Sequence, residues 1–280
     1  MTEQYSDPVE TARQYYNSED ADNFYSHIWG GEDIHIGLYE YEGEPVFDAS
    51  RRTVARMADS LGGLSPDQCV LDLGAGYGGS ARYLATTFGC RVVALNLSEV
   101  ENARHREKNR AQTLDRLIEV IDGSFEAIPA ADASFDVVWS QDAFLHSGDR
   151  TAVIRETARV LKPGGWLVFT DPMQVAGCAE GVLEPILARL HLESLGGTAF
   201  YRECAAANGL DEVGFDDHSA QLTRHYARIL GELDARAEDL DGLVSPAYRE
   251  RMRTGLQHWI DGGRNGHLCW GIFRFRKAFA

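Results

Sequence analysis

Several residue types that mark other classes of protein are scarce in this sequence. The chain has 280 residues but only five cysteines, which lie far apart without a C-x-x-C pair and, being odd in number, cannot all form disulfides. Basic residues are also few, since 27 Lys and Arg stand against 43 Asp and Glu and leave a formal net charge of −16. The cysteines indicate a reduced, cytoplasmic compartment. The acidity argues against nucleic acid as a partner, because phosphates must be neutralised by clustered Lys and Arg.

Long apolar runs and clustered metal ligands are missing as well. No apolar run approaches the roughly 20 residues of a membrane-spanning helix, and residues 1–10 lack the basic and apolar regions of a signal peptide. No H-x-x-x-H motif occurs, and His258 and His267 lie too far apart in sequence to suggest a site without other ligands. We therefore expect no membrane partner and no bound metal. The acid surplus agrees either with general solubility or with a salty cytoplasm.

Strand-like and helical segments alternate through the middle of the chain. Apolar runs with strand character occupy residues 69–73, 91–96, 117–121, 135–139 and 166–170. Helical patterns lie between them at residues 79–88, 99–112 and 150–161, the last closed by a Lys-Pro-Gly-Gly turn. Strands that alternate with helices form a parallel sheet covered on both faces, so the sequence predicts a doubly wound α/β fold.

The spacing changes after residue 172. The sequence predicts irregular structure plus helix over 173–197, a helix over 199–208, a strand over 210–215, helices over 222–240 and 246–261, and a final strand over 269–277. If the last two strands pair, residues 217–266 form an insertion that covers the ligand crevice. We thus divide the chain into an N-terminal helical cap segment (1–50), a core (51–172) and the remainder of the sheet with the cap insertion (173–280). Nothing in the sequence indicates the oligomeric state.

A glycine-rich loop follows the first strand. Gly74 to Gly79 spells G-x-G-x-x-G, the pattern that lets a backbone approach a dinucleotide closely. A nicotinamide-dependent oxidoreductase is therefore one alternative, although such enzymes place an acid at the end of the next strand, where this chain has Asn96. Asp72 lies inside the strand before the glycines. A carboxylate at this position would not help to bind a phosphate, but it can attract the cationic amino-acid end of S-adenosylmethionine.

Two further motifs accompany the glycine loop, at residues 139–146 and 159–165. The combination resembles class I S-adenosylmethionine-dependent methyltransferases over residues 66–172. The resemblance implies a Rossmann-like, seven-stranded sheet with an α-helical cap and S-adenosyl-L-methionine as cofactor. It assigns Gly74, Ala75 and Gly76 to the methionine portion, Asn96 and Leu97 to the ribose, and Gly123, Ser124 and Phe125 to the adenine. Because Asn96 replaces the usual acid, Glu101 is the alternative ribose ligand.

Four segments, three of them outside these motifs, carry a second, closer resemblance. Residues 24–37, 139–147, 170–173 and 258–263, the last followed by Trp270-Gly271, resemble sarcosine/dimethylglycine N-methyltransferases over nearly the full chain. This resemblance implies methylation of a small-molecule amine, sarcosine and dimethylglycine, to the osmolyte glycine betaine. A methyltransferase acting on an amine, hydroxyl or carbon of a secondary metabolite is the main alternative. A module that only holds the cofactor as a sensor is a further one.

Methylation of an amine requires its neutral form. An alkyl amine with a pKa near 10.4 is mostly protonated at pH 7, so the site needs a proton acceptor. His146 is the leading candidate because it follows the fourth strand, whose carboxyl end borders the crevice. Gln141 and Ser140 lie nearer the strand end and are predicted either to contact the cofactor or to orient the amine. Asp142 is either a helix-start residue or part of the site, and Asp171 also ends a strand at the crevice.

Acceptor recognition is predicted to combine aromatic rings with a guanidinium. Quaternary ammonium groups bind to aromatic faces, and carboxylates bind to arginine. The candidates for the ammonium wall are Tyr25, Trp29, Tyr201, Tyr226 and Trp259. The candidates for the carboxylate are Arg202 and Arg264. His35 and His225 are weaker candidates at the same site.

Overall fold

A mixed β-sheet flanked by helices forms the centre of the molecule, here seen in a computed structural model that describes residue 5 and residues 7–190 and 192–279. The strands are β1 (Cys69–Leu73), β2 (Arg91–Asn96), β3 (Ile118–Asp122), β4 (Phe135–Gln141), β5 (Leu161–Thr170), β6 (Met173–Gln174), β7 (Leu210–Asp217), β8 (Leu268–Cys269) and β9 (Gly271–Lys277). The helices are α1 (Asp7–Tyr16), α2 (Glu19–Ile28), α3 (Val46–Ser60), α4 (Gly79–Phe88), α5 (Glu99–Ala111), α6 (Arg150–Val160), α7 (Glu184–Leu190), α8 (Thr198–Ala207), α9 (Ser219–Ala235) and α10 (Pro246–Arg264).

The strand order confirms the predicted fold. Within the described ranges, the main sheet has seven strands in the order β3-β2-β1-β4-β5-β9-β7. Strands β1 to β5 are parallel to one another, whereas β9 runs antiparallel to both β5 and β7. The chain moves outward from β1 on one side and from β4 on the other. In a doubly wound sheet, a ligand crevice forms outside the carboxyl ends of the strands at this switch point.

Both faces of the sheet are buried under helices. Leu71 and Phe169 belong to an apolar cluster on one face, while their chain neighbours Val70 and Val168 belong to a cluster on the other. Successive side chains of a strand point to opposite faces, so a strand buried on both sides must be apolar at every position. The continuous apolar runs of the sequence therefore reflect this two-sided burial.

A third apolar cluster lies outside the sheet and joins the N-terminal helices to α9 and α10. It includes Phe24, Trp29, Tyr226, Leu256 and Trp259. Side-chain caps begin two of its helices: Ser18 accepts a hydrogen bond from the Ala21 amide at the start of α2, and Ser245 accepts one from the Tyr248 amide at the start of α10. The cluster thus brings residues more than 200 positions apart into one core.

Three local predictions need correction. The final strand breaks at Trp270 into β8, which pairs with β6, and β9, which joins the main sheet. Helix α9 ends at Ala235 and does not reach residue 240. The Lys-Pro-Gly-Gly turn is absorbed into β5, where Gly164 has φ +73° and the register shifts opposite residues 135–137.

The late helices lie where the insertion was predicted. Strands β7 and β9 pair in antiparallel register, and α9 and α10 connect them. The division into cap segments and a core stays a prediction. None of the described helices combines the length and apolar character needed to cross a membrane.

Candidate active site

The glycine loop is held tightly against the ends of neighbouring strands. Gly74, Gly76 and Gly78 all have positive φ, at +75°, +53° and +79°. A Cβ added at Gly74 would lie 2.4 Å from the Cβ of Ala143, so this position cannot accept a side chain without moving the loop. The Gly74 amide donates to the carbonyl of Leu95 at 2.8 Å, which ties the loop to β2.

A crevice opens beside this loop, and most of the predicted cofactor residues line it. The lining residues include Gly74, Gly76, Asn96, Leu97, Glu101, Ser124, Phe125, Gln141 and His146. They come from the carboxyl ends of β1 to β4, as the sheet topology requires. Helix α1 closes the outer side through Val9, Ala12, Arg13 and Tyr16.

Two predicted cofactor residues lie behind the crevice instead. The hydroxyl of Ser140 is buried and donates to the carbonyl of Leu73 at 2.8 Å. The Gly123 amide donates to the carbonyl of Asn96 at 3.1 Å. Neither residue is among those that line the crevice, and both join adjacent strand ends. Their contact with the cofactor stays a prediction.

A buried carboxylate marks the crevice at the end of β2. Glu101 is 4% exposed and accepts a hydrogen bond from the side-chain amide of Asn96 at 2.9 Å. Burial raises the pKa of Glu101 to about 7, and the Asn96 hydrogen bond opposes that shift. Asn96 thus positions Glu101, which supplies the acid missing from the end of β2.

A small polar cavity, lined by Asp72, Ala75, Ser80, Gln141 and residues 32–35, adjoins the crevice at the glycine loop. Oδ2 of Asp72 is buried without a hydrogen-bond partner among the described residues, and burial raises the pKa of this carboxyl to about 7. Oε1 of Gln141 accepts from the Ser80 hydroxyl at 2.5 Å and from the Trp139 indole at 2.9 Å. These bonds orient the amide and leave Nε2 of Gln141 buried without an acceptor.

The two orphaned atoms have complementary chemistry. Asp72 supplies a carboxylate oxygen and Gln141 supplies an N–H donor beside the same cavity. Buried polar groups are normally paired, and an unpaired one costs free energy. An amino-acid end, with an ammonium and a carboxylate, would satisfy both. The cavity therefore suits the methionine end of S-adenosylmethionine.

An aromatic cavity of about 50 Å³ adjoins the crevice on the cap side. The ring of Tyr226 stacks on Trp259 with centroids 4.9 Å apart, and Tyr25 lies 5.2 Å from Trp29. These four rings are the predicted aromatic candidates that the fold brings together. The remaining lining residues are Tyr16, Ile34, His35, Ile36, Asp142, Leu145, His146, Pro172 and Leu190.

His146 stands in the wall between the crevice and the aromatic cavity. Tyr16, Ile34, Asp142 and His146 line both spaces. Nε2 of His146 lies 2.9 Å from the Tyr16 hydroxyl, and the two rings meet edge to face with centroids 5.3 Å apart. The imidazole therefore borders both spaces. From its place after β4, the sequence predicted only its position at the crevice.

Asp171 holds the turn that carries His146. Its Oδ1 accepts from the Leu145 amide at 3.0 Å and its Oδ2 accepts from the Tyr201 hydroxyl at 2.6 Å. The carboxyl is fully buried, which raises its pKa to about 7. Both oxygens are engaged with the protein, so Asp171 is a positioning residue.

Asp142 joins three segments that are distant in sequence. Its carboxylate accepts from the Ile36 amide and from the Trp270 indole, both at 2.7 Å, and its own amide donates to the Thr170 carbonyl at 2.9 Å. Its φ of +52° is uncommon for a residue with a side chain and marks local strain at the end of β4. Asp142 is therefore not an ordinary helix-start residue.

Three predicted acceptor-binding residues lie away from the aromatic cavity. Tyr201 packs between Phe169 and Phe273 behind the sheet, with its hydroxyl on Asp171. Arg202 is exposed and pairs with Glu212 at 2.8 Å. Arg264 ends α10 on the surface. Their predicted roles depended on sequence adjacency, which does not determine the direction of a helical side chain.

Several contributing residues were not predicted individually. The contact of Tyr16 with His146 and the position of Ile34 in the cavity wall both depend on how the N-terminal segment folds back over the sheet. Its aromatic run indicated only that it packs near the crevice.

His225 and His35 were predicted as weaker candidates. His225 is fully buried; burial lowers its pKa to about 3, and its Nδ1 accepts from the Tyr39 hydroxyl at 2.9 Å. His35 lines both small cavities.

Comparison with known proteins agrees with this geometry. Residues 71–169 match the family described as a methyltransferase domain. The chain is 59% identical to a sarcosine/dimethylglycine N-methyltransferase of Halorhodospira halochloris, covering 99% of this chain and 100% of that protein. It is 52% identical to a protein of the same name from Aphanothece halophytica, over 95% and 96% of the two chains. A crystal structure from Galdieria sulphuraria, titled as a putative sarcosine dimethylglycine methyltransferase, superimposes with a TM-score of 0.90 at 43% identity, over 95% of this chain and 100% of that one.

The sheet topology, the glycine loop and the crevice define an S-adenosylmethionine-dependent methyltransferase. The predicted class, fold and cofactor are thereby confirmed, and the alternative of a nicotinamide-dependent oxidoreductase is wrong. Within that class, the chain belongs to the sarcosine/dimethylglycine N-methyltransferases.

Proposed function

We propose that this enzyme transfers methyl groups to the amines of sarcosine and dimethylglycine and so forms glycine betaine in the cytoplasm. One observation carries the proposal: a small cavity walled by four aromatic rings adjoins the crevice, with His146 in the shared wall. This arrangement suits an acceptor whose amine reacts at the crevice while its N-methyl groups contact aromatic faces.

The cofactor residues divide between the two ends of the crevice. Asp72 and Gln141 would hold the methionine end, Glu101 the ribose hydroxyls, and Ser124 and Phe125 the adenine. When bound, S-adenosylmethionine supplies an electrophilic methyl group. The protein's part is to place the acceptor nitrogen in line with that methyl group and to exclude water, which can supply most of the rate enhancement.

His146 is proposed as the proton acceptor. The ammonium form of dimethylglycine must lose one proton before its nitrogen lone pair is available. That proton passes to the imidazole, directly or through the Tyr16 hydroxyl, which lies 2.9 Å from Nε2. Asp171 maintains the geometry by holding the Leu145 amide one residue earlier in the chain.

The enclosure of the aromatic cavity favours a small acceptor. Its four rings are only 1% to 8% exposed, and they come from the N-terminal segment, α9 and α10. Such an enclosed site suits a compact acceptor better than a sugar or a terpenoid chain. We therefore place sarcosine and dimethylglycine ahead of larger acceptors.

A mass-spectrometric assay of methyl transfer tests the proposal. Wild-type enzyme with S-adenosylmethionine is offered glycine, sarcosine, dimethylglycine and a panel of larger amines, alcohols and phenols. We expect trimethylated product from sarcosine and dimethylglycine. Preference for a larger acceptor would replace this proposal with the secondary-metabolite alternative. Cofactor binding without any acceptor turnover would favour a sensor.

A further inference from the structure

The aromatic cavity lacks the cationic side chain expected for a carboxylate. Among the described residues, no arginine or lysine lines it, and both predicted guanidiniums lie elsewhere. Its one carboxylate, Asp142, already accepts two hydrogen bonds. An acceptor that carries its own carboxylate therefore needs other donors in this cavity.

Two indole N–H groups meet that requirement. Nε1 of Trp29 and Nε1 of Trp259 are both buried without an acceptor among the described residues, although both side chains line the cavity. Trp29 is 6% exposed and Trp259 is 1% exposed, so solvent does not satisfy these donors. Buried N–H groups are rarely left unpaired, and two at one cavity indicate that a ligand supplies the acceptor.

Other aromatic rings pack against both indoles, and the N–H group at the edge of each indole is the polar group that lacks a partner among the described residues. Trp259 stacks on Tyr226 with an interplanar angle of 16°, which occupies one of its faces. Trp29 is surrounded by the rings of Phe24, Tyr25 and His225, with centroids 5.2 to 6.2 Å away. Both indoles also contact the Tyr226 ring, Trp29 with its centroid 6.3 Å away. The two N–H donors thus belong to one ring assembly.

Some residues of the aromatic cavity also line the crevice and others do not, and this difference indicates how an acceptor would be oriented in the cavity. The residues shared with the crevice include His146 and Tyr16, so the amine must lie on that side. Trp29 and Trp259 belong to the part that is not shared. In an N-methylated glycine a single methylene separates the amine from the carboxylate, so the carboxylate lies one carbon deeper in the cavity.

We propose that the indole N–H groups of Trp29 and Trp259 bind the carboxylate of an N-methylated amino acid. The assignment rests on the proposed function and adds the subsite that selects carboxylate-bearing acceptors. It leaves the faces of Tyr25 and Tyr226 as the ammonium wall.

The test removes the N–H groups but keeps the rings. Trp29→Phe and Trp259→Phe are compared with Trp166→Phe, a half-buried tryptophan under Arg276 that does not line the cavity. Two constants are measured, the KM for dimethylglycine and the inhibition constant of choline, which has the trimethylammonium group but no carboxylate. We expect each cavity variant to raise the KM by about 10- to 100-fold, as for a lost hydrogen bond to a charged group. The choline constant, kcat and cofactor affinity should stay unchanged.

A spectroscopic measurement on unmodified enzyme covers the case in which a variant fails to fold. The chain has five tryptophans, and their indole N–H signals are resolved by ¹⁵N NMR of the complex with S-adenosylhomocysteine. Added glycine betaine should shift two of these signals, and choline should not. Equal shifts with both ligands, equal weakening of both constants, or no change in either experiment would overturn the assignment. A failure of the proposed function would be distinguished from a failure of this assignment, because wild-type enzyme would then turn over neither sarcosine nor dimethylglycine.

Discussion

The crevice and the aromatic cavity share a wall, yet they draw their residues from the chain in different ways. The crevice and the polar cavity beside it mainly use short segments at the carboxyl ends of consecutive strands, within residues 72–146, with α1 and residues 32–35 added as a cover. The aromatic cavity collects side chains from Tyr16 to Trp259 through the packing of cap helices. A sheet of known topology places the first set automatically. The second set exists only once the cap has folded onto the core.

Their electrostatics differ as well. The crevice and the polar cavity contain buried carboxyls, Asp72 and Glu101, whose pKa values burial raises to about 7. The aromatic cavity is lined by rings, apolar side chains, two histidines and one carboxylate, Asp142, which already accepts two hydrogen bonds. The first region suits a cationic ligand and has a built-in pH dependence, whereas the second is proposed to select by ring faces and N–H donors. The following changes test this contrast.

The largest effect is expected at the glycine loop. Gly76→Val places a β-branched side chain at φ +53° on the wall of the crevice, so cofactor binding should become undetectable. Gly62→Val is the matched control, since Gly62 has φ +80° with nothing within 4 Å and lies outside the crevice. Calorimetry with S-adenosylhomocysteine should find binding only in the control. Binding by both folded variants would contradict the assignment of the loop.

Replacement of the shared histidine should reduce turnover more than binding. His146→Ala is expected to lower kcat by about 100-fold or more at pH 7, as for loss of a general base. Partial recovery is expected as rising pH deprotonates the amine in solution. Tyr16→Phe keeps the ring and serves as the comparison, with a smaller loss if the hydroxyl only relays the proton. Cofactor affinity is measured in parallel, and an unchanged kcat would reduce His146 to a structural residue.

Glu101→Gln tests the buried carboxyl of the crevice. Because the pKa of Glu101 is about 7 in the folded protein and about 4.3 when unfolded, its favourable contribution is complete below about pH 4 and lost as pH rises through 7. The variant should therefore equal wild type in stability at low pH and exceed it above pH 7 by on the order of 3 to 4 kcal/mol, while binding the cofactor more weakly. Urea unfolding of both proteins without cofactor at pH 4 and pH 8 measures this difference. Glu119→Gln, at an exposed position of β3, is the control and should show no such pH dependence.

Tyr226 tests the ammonium wall. Tyr226→Leu removes a ring face and should raise the KM for dimethylglycine by about 2- to 30-fold, the range of a cation–π contact. Tyr226→Phe retains the face and should behave like wild type. Steady-state kinetics at saturating cofactor separates the two. Equal effects of both changes would assign the interaction to the hydroxyl instead.

The smallest effect is expected from the displaced arginines. Arg202→Ala and Arg264→Ala should leave the KM for dimethylglycine unchanged, because both side chains are exposed and away from the aromatic cavity. The same kinetic assay applies. A large rise in KM for either variant would show that the cap rearranges around the acceptor. The contrast between the crevice and the aromatic cavity would then no longer hold.

Local patterns were sufficient wherever a ligand contact depends on strand ends. The glycines at 74, 76 and 78 required positive φ, and the side chains of Asp72, Glu101 and His146 reach the crevice or the cavities beside it because each lies in, or shortly after, a parallel strand. Gly123 and Ser140 also lie at strand ends but are not among the residues that line the crevice, and they bond to the neighbouring strands. Position along a strand does not determine which group faces the ligand.

The cap was less predictable because its contacts depend on helix rotation and on segments distant in sequence. Arg202 and Tyr201 are adjacent to each other in α8, yet one pairs with Glu212 on the surface and the other with Asp171 in the interior. Asp142 reads locally as a helix start but bonds to the Ile36 amide and the Trp270 indole. Periodicity indicates that a helix has an apolar face. It does not state which partner covers that face.

The amino-acid sequence alone thus determined the α/β class, the site of the loop and the acid balance, because these follow from backbone conformation, strand burial and residue counts. The pairing of Tyr16 with His146, the absence of an arginine or lysine from the described lining of the aromatic cavity, and the hydrogen bond by which Asn96 holds Glu101 became visible only in the folded chain. Each depends on side chains brought together by packing three cores against one another. Such contacts have no signature in the spacing of residues along a single strand or helix.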